Sequence, residues 1–390
     1  MKGVFLVLVV MASGAFVYQC LALYCVRLFQ QRQVRLNQNE LAVYPPITLL
    51  KPLHGAEADL EKYLTSFFLL AYPHYEIIFA VRSASDPSVT VVNRLRQRYS
   101  HIPSQLLFTG EPPYANAKVY SMEKMAAAAQ HELWVITDSD TEVRPSYLHA
   151  VARVFSNQKV GALTHLYRGV ARNEFWAKLE ALGMSTEFMA GVIVAEKLEG
   201  MKFALGPSMA IRKQCLADIG GFAAMRDYLA DDFVLGHWAD RAGWRVALDS
   251  FVVDHHVSTT GFTPTFQHRL RWNRSTRFSR PAGYFGQGFT YALSWSLLLF
   301  GFFPSSLTFA LLALTLLVRM LLAILLGQHV LNDAAVLPRL WLVPLQDILS
   351  FASWCGGWMS REIIWRGERY RLLSEGKFTP VISRSTSETN

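Results

Sequence analysis

The chain alternates between long apolar stretches at its two ends and a mixed polar middle. Residues from Val4 to about Cys25 form one unbroken apolar run, long enough to cross a bilayer, since about 20 residues span the hydrocarbon core. A second apolar zone, Phe289 to Leu326, is too long for one span and carries a break at Pro304-Ser305-Ser306. It predicts a helical hairpin, with Arg319 either snorkelling or facing protein. A third zone, Leu340 to Trp358, is interrupted by Pro344 and Asp347. Between about Tyr44 and Arg280, apolar runs at Ile47–Lys51, Glu76–Arg82, Gln105–Thr109 and Leu133–Thr137 read as strands. The intervening segments Glu57–Leu70, Pro87–Tyr99 and Lys118–Gln130 carry helical patterns. Strands alternating with helices predict an α/β domain on a mostly parallel sheet, which binds ligands at the carboxyl ends of its strands. The organisation expected is an anchor over 1–35, a soluble catalytic domain over 36–285, a membrane region over 286–375 and a disordered tail over 376–390.

Composition supports that division. Of 390 residues, 52% are hydrophobic and only 17% charged, where an average soluble domain is about 25% charged. The net charge of +8 favours anionic headgroups or phosphate-bearing ligands. No basic-aromatic module points to nucleic acid. The four cysteines form no CxxC pair, which argues against a zinc site or disulfide framework and suits a reducing cytoplasmic setting. Arg27, Arg32 and Arg35 follow the first run and place its carboxyl flank on the cytoplasmic side. A full crossing by the third apolar zone would then put the basic tail outside. Either the third segment re-enters, packed against protein, or it spans and the orientation rule fails here; re-entry is the favoured reading.

Three acidic sites carry candidate chemistry. Asp86 lies just past a strand in Ser85-Asp86-Pro87, a sequence that also reads as a helix N-cap. Asp138-Ser139-Asp140 directly follows the strand Leu133–Thr137. Two carboxylates on one rim suit a hard divalent cation, Mg²⁺ or Mn²⁺, that shares its ligation with substrate phosphates. The alternative is a solvated turn. Asp231-Asp232 opens a predicted helix through Ala239. It reads either as acidic capping or as a general base for an acceptor hydroxyl. In His268-Arg269-Leu270-Arg271-Trp272, Arg271 is a candidate for holding a diphosphate and Trp272 for a wall of the site. The same stretch reads as a basic helix lying on headgroups. Asp254-His255-His256 reads as a polar turn at a strand end, or as the source of one imidazole contact to a divalent metal. Ala181–Ala195 reads as a core helix or a lid facing the membrane.

Taken in order, Asp86, Asp138-Ser139-Asp140, Asp232 and Arg271-Trp272 resemble the D, D, D, (Q/R)xxRW pattern of the ceramide glucosyltransferase family. Leu49-Leu50-Lys51-Pro52-Leu53, Ala71-Tyr72-Pro73-His74-Tyr75-Glu76, Gly243-Trp244-Arg245 and the tail from Trp365 to Leu372 are similar to that family too. Ser360 to Arg366 looks most like its bacterial hopanoid-biosynthesis branch. The resemblance implies a GT-A fold, a UDP-sugar donor, a lipid acceptor, a divalent metal and inversion at the anomeric carbon. It implies that Asp86 contacts the nucleotide and that Lys118 stands near it. Asp138 would approach donor and metal, with Asp140 assisting. Asp232 would act as base, and Arg271 with Trp272 would close the site. His268 occupies the donor-binding first position of the last motif, where the family carries Gln or Arg. Asp140 stands where ceramide enzymes tend to carry Gly. The resemblance also implies a multi-pass protein of the bacterial inner membrane with its catalytic domain in the cytoplasm. The alternatives weighed are a processive polysaccharide synthase and a non-catalytic membrane protein on the same scaffold.

Overall fold

The computed structural model describes residues 1–36, 43–55, 57–365 and 367–381. Its centre is an eight-stranded sheet. The strands are β1 (Ile47–Pro52), β2 (Tyr75–Val81), β3 (Ser104–Phe108), β4 (Leu133–Thr137), β5 (Thr141–Glu142), β6 (Val160–Ala171), β7 (Ser208–Arg212) and β8 (Arg245–Val257). Their spatial order is β3-β2-β1-β4-β7-β6-β8-β5. β1 pairs in parallel with β2 and β4, and β2 with β3. β2 and β4 are buried along their whole length, as the continuous apolar runs of a sheet covered on both faces require. The parallel half matches the strand-helix alternation of the sequence.

The other half departs from a mostly parallel sheet. β7 runs antiparallel to both β4 and β6, while β6 and β8 pair in parallel over a long ladder with register shifts at Val160/Ala162 and His165/Leu166. Asp254-His255-His256 is correspondingly not a turn. It lies inside β8, because the β6 ladder runs on through all three residues and the two-residue strand β5 pairs Thr141 with His255 and Glu142 with Asp254. The segment Ala181–Ala195 spans a helix (Phe175–Gly183), a π-helical turn (Met184–Phe188) and a second helix (Met189–Glu199). Its Met184, Met189, Val192 and Ile193 join the same buried cluster as Ala22, Val26 and Phe29 of the N-terminal helix and Leu322 and Leu326 of a later one. Sheet and apolar helices therefore share one core.

Two helices, Lys2–Gln33 and Ser306–Val330, are long and apolar enough to cross a membrane. The break at Pro304-Ser305-Ser306 is real. The helix Ala292–Phe302 ends there, and Ser305 starts the next one with a capping box. Ser305 Oγ accepts from Thr308 N at 3.2 Å, and Thr308 Oγ1 accepts from Ser305 N at 3.0 Å. Arg319 faces protein and forms a buried two-bonded pair with Asp347, both bonds 2.8 Å. The third apolar zone gives a 15-residue helix, Val343–Gly357, about 22 Å long at 1.5 Å per residue and short of a full span.

After it, β9 (Glu362–Trp365), β10 (Glu368–Leu372) and β11 (Phe378–Pro380) form a small antiparallel sheet. The tail expected to be disordered from residue 376 thus begins as an ordered strand, held because Phe378 packs with Ile363, Tyr370 and Leu372. The remainder of that expected tail, 382–390, lies outside the described residues, as do residues 37–42 of the expected anchor-domain junction.

Helix Asp231–Arg241 packs closely against the loop before β7. A Cβ at Gly236 would overlap the backbone of Phe203 and Ala204. Gly236→Ala is expected to cost about 1–3 kcal/mol, read as a lowered unfolding midpoint. An unchanged midpoint would mean that this approach is loose.

Candidate active site

β4 delivers Asp138 to the rim of the sheet, and its neighbours converge on it. Asn116 caps the helix Ala117–Ala128 by accepting from Val119 N at 3.1 Å. Its amide also donates to Tyr228 O at 2.8 Å, tying that helix to the chain just before Asp231. Lys118, in the first turn, then reaches Asp138 Oδ1 at 2.8 Å and Asp231 Oδ2 at 3.4 Å. Burial works against its charge, but Asp138 and Asp231 override it and hold the ammonium well above the usual lysine range.

Asp232 approaches from the start of its own helix. Its Oδ2 accepts from Gly206 N at 2.7 Å and its Oδ1 from Phe233 N at 2.8 Å. Gly206 is where the carboxylates meet, since a Cβ there would lie 3.2 Å from both Asp138 Oδ2 and Asp232 Oδ2. Burial, reinforced by Asp231, pushes the Asp232 carboxyl up to about 6.

On the other flank, Asp140 Oδ1 lies 3.3 Å from His255 Nδ1. Burial disfavours a charged His255, yet Asp140 overrides it and raises the imidazole to about 9. Lys51 sits beneath, fully buried in β1, and donates to Asp138 O at 2.6 Å. Burial brings it down to about 7.

The helix Phe262–Ser279 closes the opposite wall. His268 Nδ1 meets Glu180 Oε1 at 2.5 Å, and Thr259 Oγ1 donates to Glu180 Oε2 at 2.7 Å. One turn on, the Trp272 ring lies 4.7 Å from His268 and 6.1 Å from Phe188 between centroids. Lys118, Asp138, Asp140, Asp232, His268, Arg271 and Trp272 all line a single cavity of about 1780 Å³, while Lys51 lies behind its wall.

Asp86 stands apart from that wall. Its carboxylate accepts from Gly55 N at 3.0 Å, Ser88 N at 2.9 Å and Ser88 Oγ at 2.6 Å. Burial alone would raise it, but these bonds hold it below the usual carboxylate range. Its visible work is to cap the helix Ser88–Arg98 and fix the loop at Gly55, whose neighbours Leu53 and His54 do line the cavity.

Sequence reasoning passed over Glu180, which anchors His268, and Lys51. A lysine inside the apolar run of β1 was a readable signal. Glu180 sits within Trp176-Ala177-Lys178-Leu179-Glu180-Ala181-Leu182 with nothing to mark it.

Among the described residues no group of three or more His, Cys, Asp or Glu side chains is arranged to hold a metal ion. The donor set suits a hard cation that draws most of its ligands from a bound phosphate. Asp138 and Asp140 offer oxygens on one rim, and Asp140 Oδ1 is buried with the 3.3 Å ion-pair contact to His255 Nδ1 but no well-aligned hydrogen bond.

Known proteins resemble this chain in sequence and in fold. Ceramide glucosyltransferase 1 of Caenorhabditis elegans is 27% identical over 229 residues, 58% of this chain and 49% of that protein. A beta-monoglucosyldiacylglycerol synthase of Trichormus variabilis is 21% identical over 232 residues, 58% and 48% of the two chains. The chain thus aligns with about half the length of each of these relatives. A mannosyltransferase from Pyrobaculum calidifontis, solved with GDP-Man and Mn²⁺, is 18% identical with a TM-score of 0.52, covering 89% of this chain and 99% of its own. That is a likeness in fold, the GT-A arrangement of a mixed sheet with flanking helices. The model of glycosyl transferase family 21 matches residues 7–378, and the chain belongs to that family.

Proposed function

We propose that the protein is an inverting glycosyltransferase that moves one hexose or N-acetylhexosamine from a UDP-sugar onto a hydroxyl of a membrane lipid. The observation that carries this reading is the meeting of Asp138 and Asp232 at Gly206, with Lys118 paired to Asp138, on the wall of a cavity that continues to Tyr18 of the N-terminal apolar helix. The donor is UDP-GlcNAc or UDP-Glc. The acceptor is a hopanoid such as bacteriohopanetetrol, or ceramide, and the relatives' names add diacylglycerol glycolipids to that range. The protein works as a multi-pass protein of the bacterial inner membrane, its sheet domain in the cytoplasm and Val343–Gly357 re-entering rather than crossing.

Lys118 and Arg271 hold the donor diphosphate by charge-assisted bonds. Asp86 serves the nucleotide by fixing the Gly55 loop, and His268, anchored by Glu180, borders the donor. Trp272 walls the reacting sugar from water. A divalent cation held by Asp138 and Asp140 would neutralise charge on the departing diphosphate. Asp232 takes the proton of the acceptor hydroxyl. That oxygen forms its bond to the anomeric carbon from the face opposite the breaking bond to UDP, which inverts the centre. Holding both partners in one cavity can remove about 7–11 kcal/mol of the barrier.

Asp232 accepts a proton only when ionised, and its carboxyl sits at about 6 facing Asp231, Asp138 and Lys118. Transfer is therefore expected to fall about tenfold per pH unit as pH drops below about 6. A rate flat down to pH 4.5, about 1.5 units below that value, would remove Asp232 from the base role. The function itself is tested by incubating membranes that contain the protein with a panel of UDP-sugars and total lipid. One sugar per lipid by mass is expected. A long polymer would point to a processive synthase, and no lipid product would end the proposal.

A further inference from the structure

The helix Val343–Gly357 is built inside out. Leu345 and Ile348 are exposed, while Gln346, Ser350 and Ser353 are buried at 1%, 7% and 2% exposure. Their spacing of four and three residues puts these polar groups on one face, and that face lines the cavity. Two residues of the opposing helix meet it. Arg269 donates to Gln346 Oε1 at 2.7 Å and to Ser350 Oγ at 3.3 Å. Asn273 donates to Ser353 Oγ at 2.9 Å. Arg269 and Asn273 directly follow His268 and Trp272, so they lie about 100° around the same helix from the donor-side wall. Glu187 enters from the π-helical turn Met184–Phe188 and accepts from Gln346 Nε2 at 3.3 Å. Such turns are frequent at functional sites.

Polar groups between apolar helices often serve only to join them. A joining network closes on itself, and this one does not. Arg269 Nε is buried without a hydrogen bond. A carboxylate has about four lone-pair sites, and Glu187 is met by Gln346 through one long bond and by the Ser350 hydroxyl, which leaves about two sites open. Both residues line the cavity. The spare capacity is one donor and about two acceptor positions, carried by one positive and one negative side chain. That combination suits a neutral ligand with several hydrogen-bonding groups and disfavours an anionic headgroup beside Glu187.

Building on the proposed lipid transfer, we propose that Glu187, Arg269, Gln346 and Ser350 form the subsite for the acceptor headgroup. It selects a neutral lipid bearing at least two hydroxyl or amide groups over one bearing a single hydroxyl. One group is glycosylated while the others are held by the network.

The test uses the full chain in detergent or nanodiscs, with a long-chain vicinal diol and the primary alcohol of the same length as acceptors. The wild type is expected to favour the diol. Glu187→Gln, which keeps shape and removes charge, and Ser350→Ala are each expected to cut that preference in kcat/KM about tenfold. UDP affinity should stay unchanged. Wild-type selectivity in both variants overturns the proposal, as does a wild-type enzyme that uses both acceptors equally or neither. Loss of UDP affinity in both variants also overturns it, because the network would then support the fold rather than the acceptor. Total lipid serves as the control. If it yields no glycolipid, the proposed function fails. If it does and selectivity is unmoved, only the headgroup subsite fails.

Discussion

Asp232→Asn is expected to lower transfer by about 10²–10⁴-fold, the usual contribution of a positioned general base, while UDP still binds. The two predictions separate because of where Asp232 sits. Its carboxylate is held by Gly206 N and Phe233 N, and an amide oxygen at that position retains one of these bonds. The ammonium proposed to hold the diphosphate, Lys118, is paired to Asp138 and Asp231 and keeps both partners in the variant. Turnover with saturating donor and lipid, set beside calorimetric titration with UDP, reads the two effects independently. Normal turnover in the variant would move the proton to another acceptor, with Asp231 the nearest alternative.

Arg319→Met is expected to destabilise the protein by about 3–5 kcal/mol, the cost of stranding one partner of a buried ion pair. Asp347 would keep its carboxylate at 5% exposure, without either 2.8 Å bond from Arg319. Arg319 also donates to Thr186 O at 3.2 Å, one residue before Glu187, so the pair ties the apolar helices to the cavity wall. The double variant Arg319→Met/Asp347→Leu is expected to recover most of the loss, because replacing both ions with apolar groups removes the desolvation penalty with the bond. Denaturant titration in a fixed micelle system measures both. A single variant as stable as the wild type would show that the pair is hydrated.

The parallel half of the sheet was legible because each strand is a short apolar run bounded by turn residues, and each helix between carries its own signals. The rim carboxylates were legible for the same reason, since Asp138 directly follows the buried run Leu133–Thr137. What escaped depends on pairings far apart in sequence. β8 continues through Asp254-His255-His256 because β6 pairs with it on one side and a two-residue strand more than a hundred positions earlier on the other. Glu180 gains its role from His268, 88 residues away. The inverted face of Val343–Gly357 reads in sequence as an apolar zone with interruptions, and only packing against Arg269 and Asn273 gives those interruptions a purpose. Asp86 was singled out for nucleotide contact, and its hydrogen bonds draw equally on the helix-capping reading that the sequence also offered.

Residues scattered from Lys118 to Trp272 are proposed to form one pocket for a donor diphosphate. A cryo-EM map of the full chain with UDP and Mn²⁺ tests this most directly. Diphosphate density is expected within hydrogen-bond reach of Lys118 and bordered by Asp138 and Arg271, with Asp232 facing the open space beyond. Density for UDP elsewhere on the molecule, with these side chains left pointing into solvent, would contradict it.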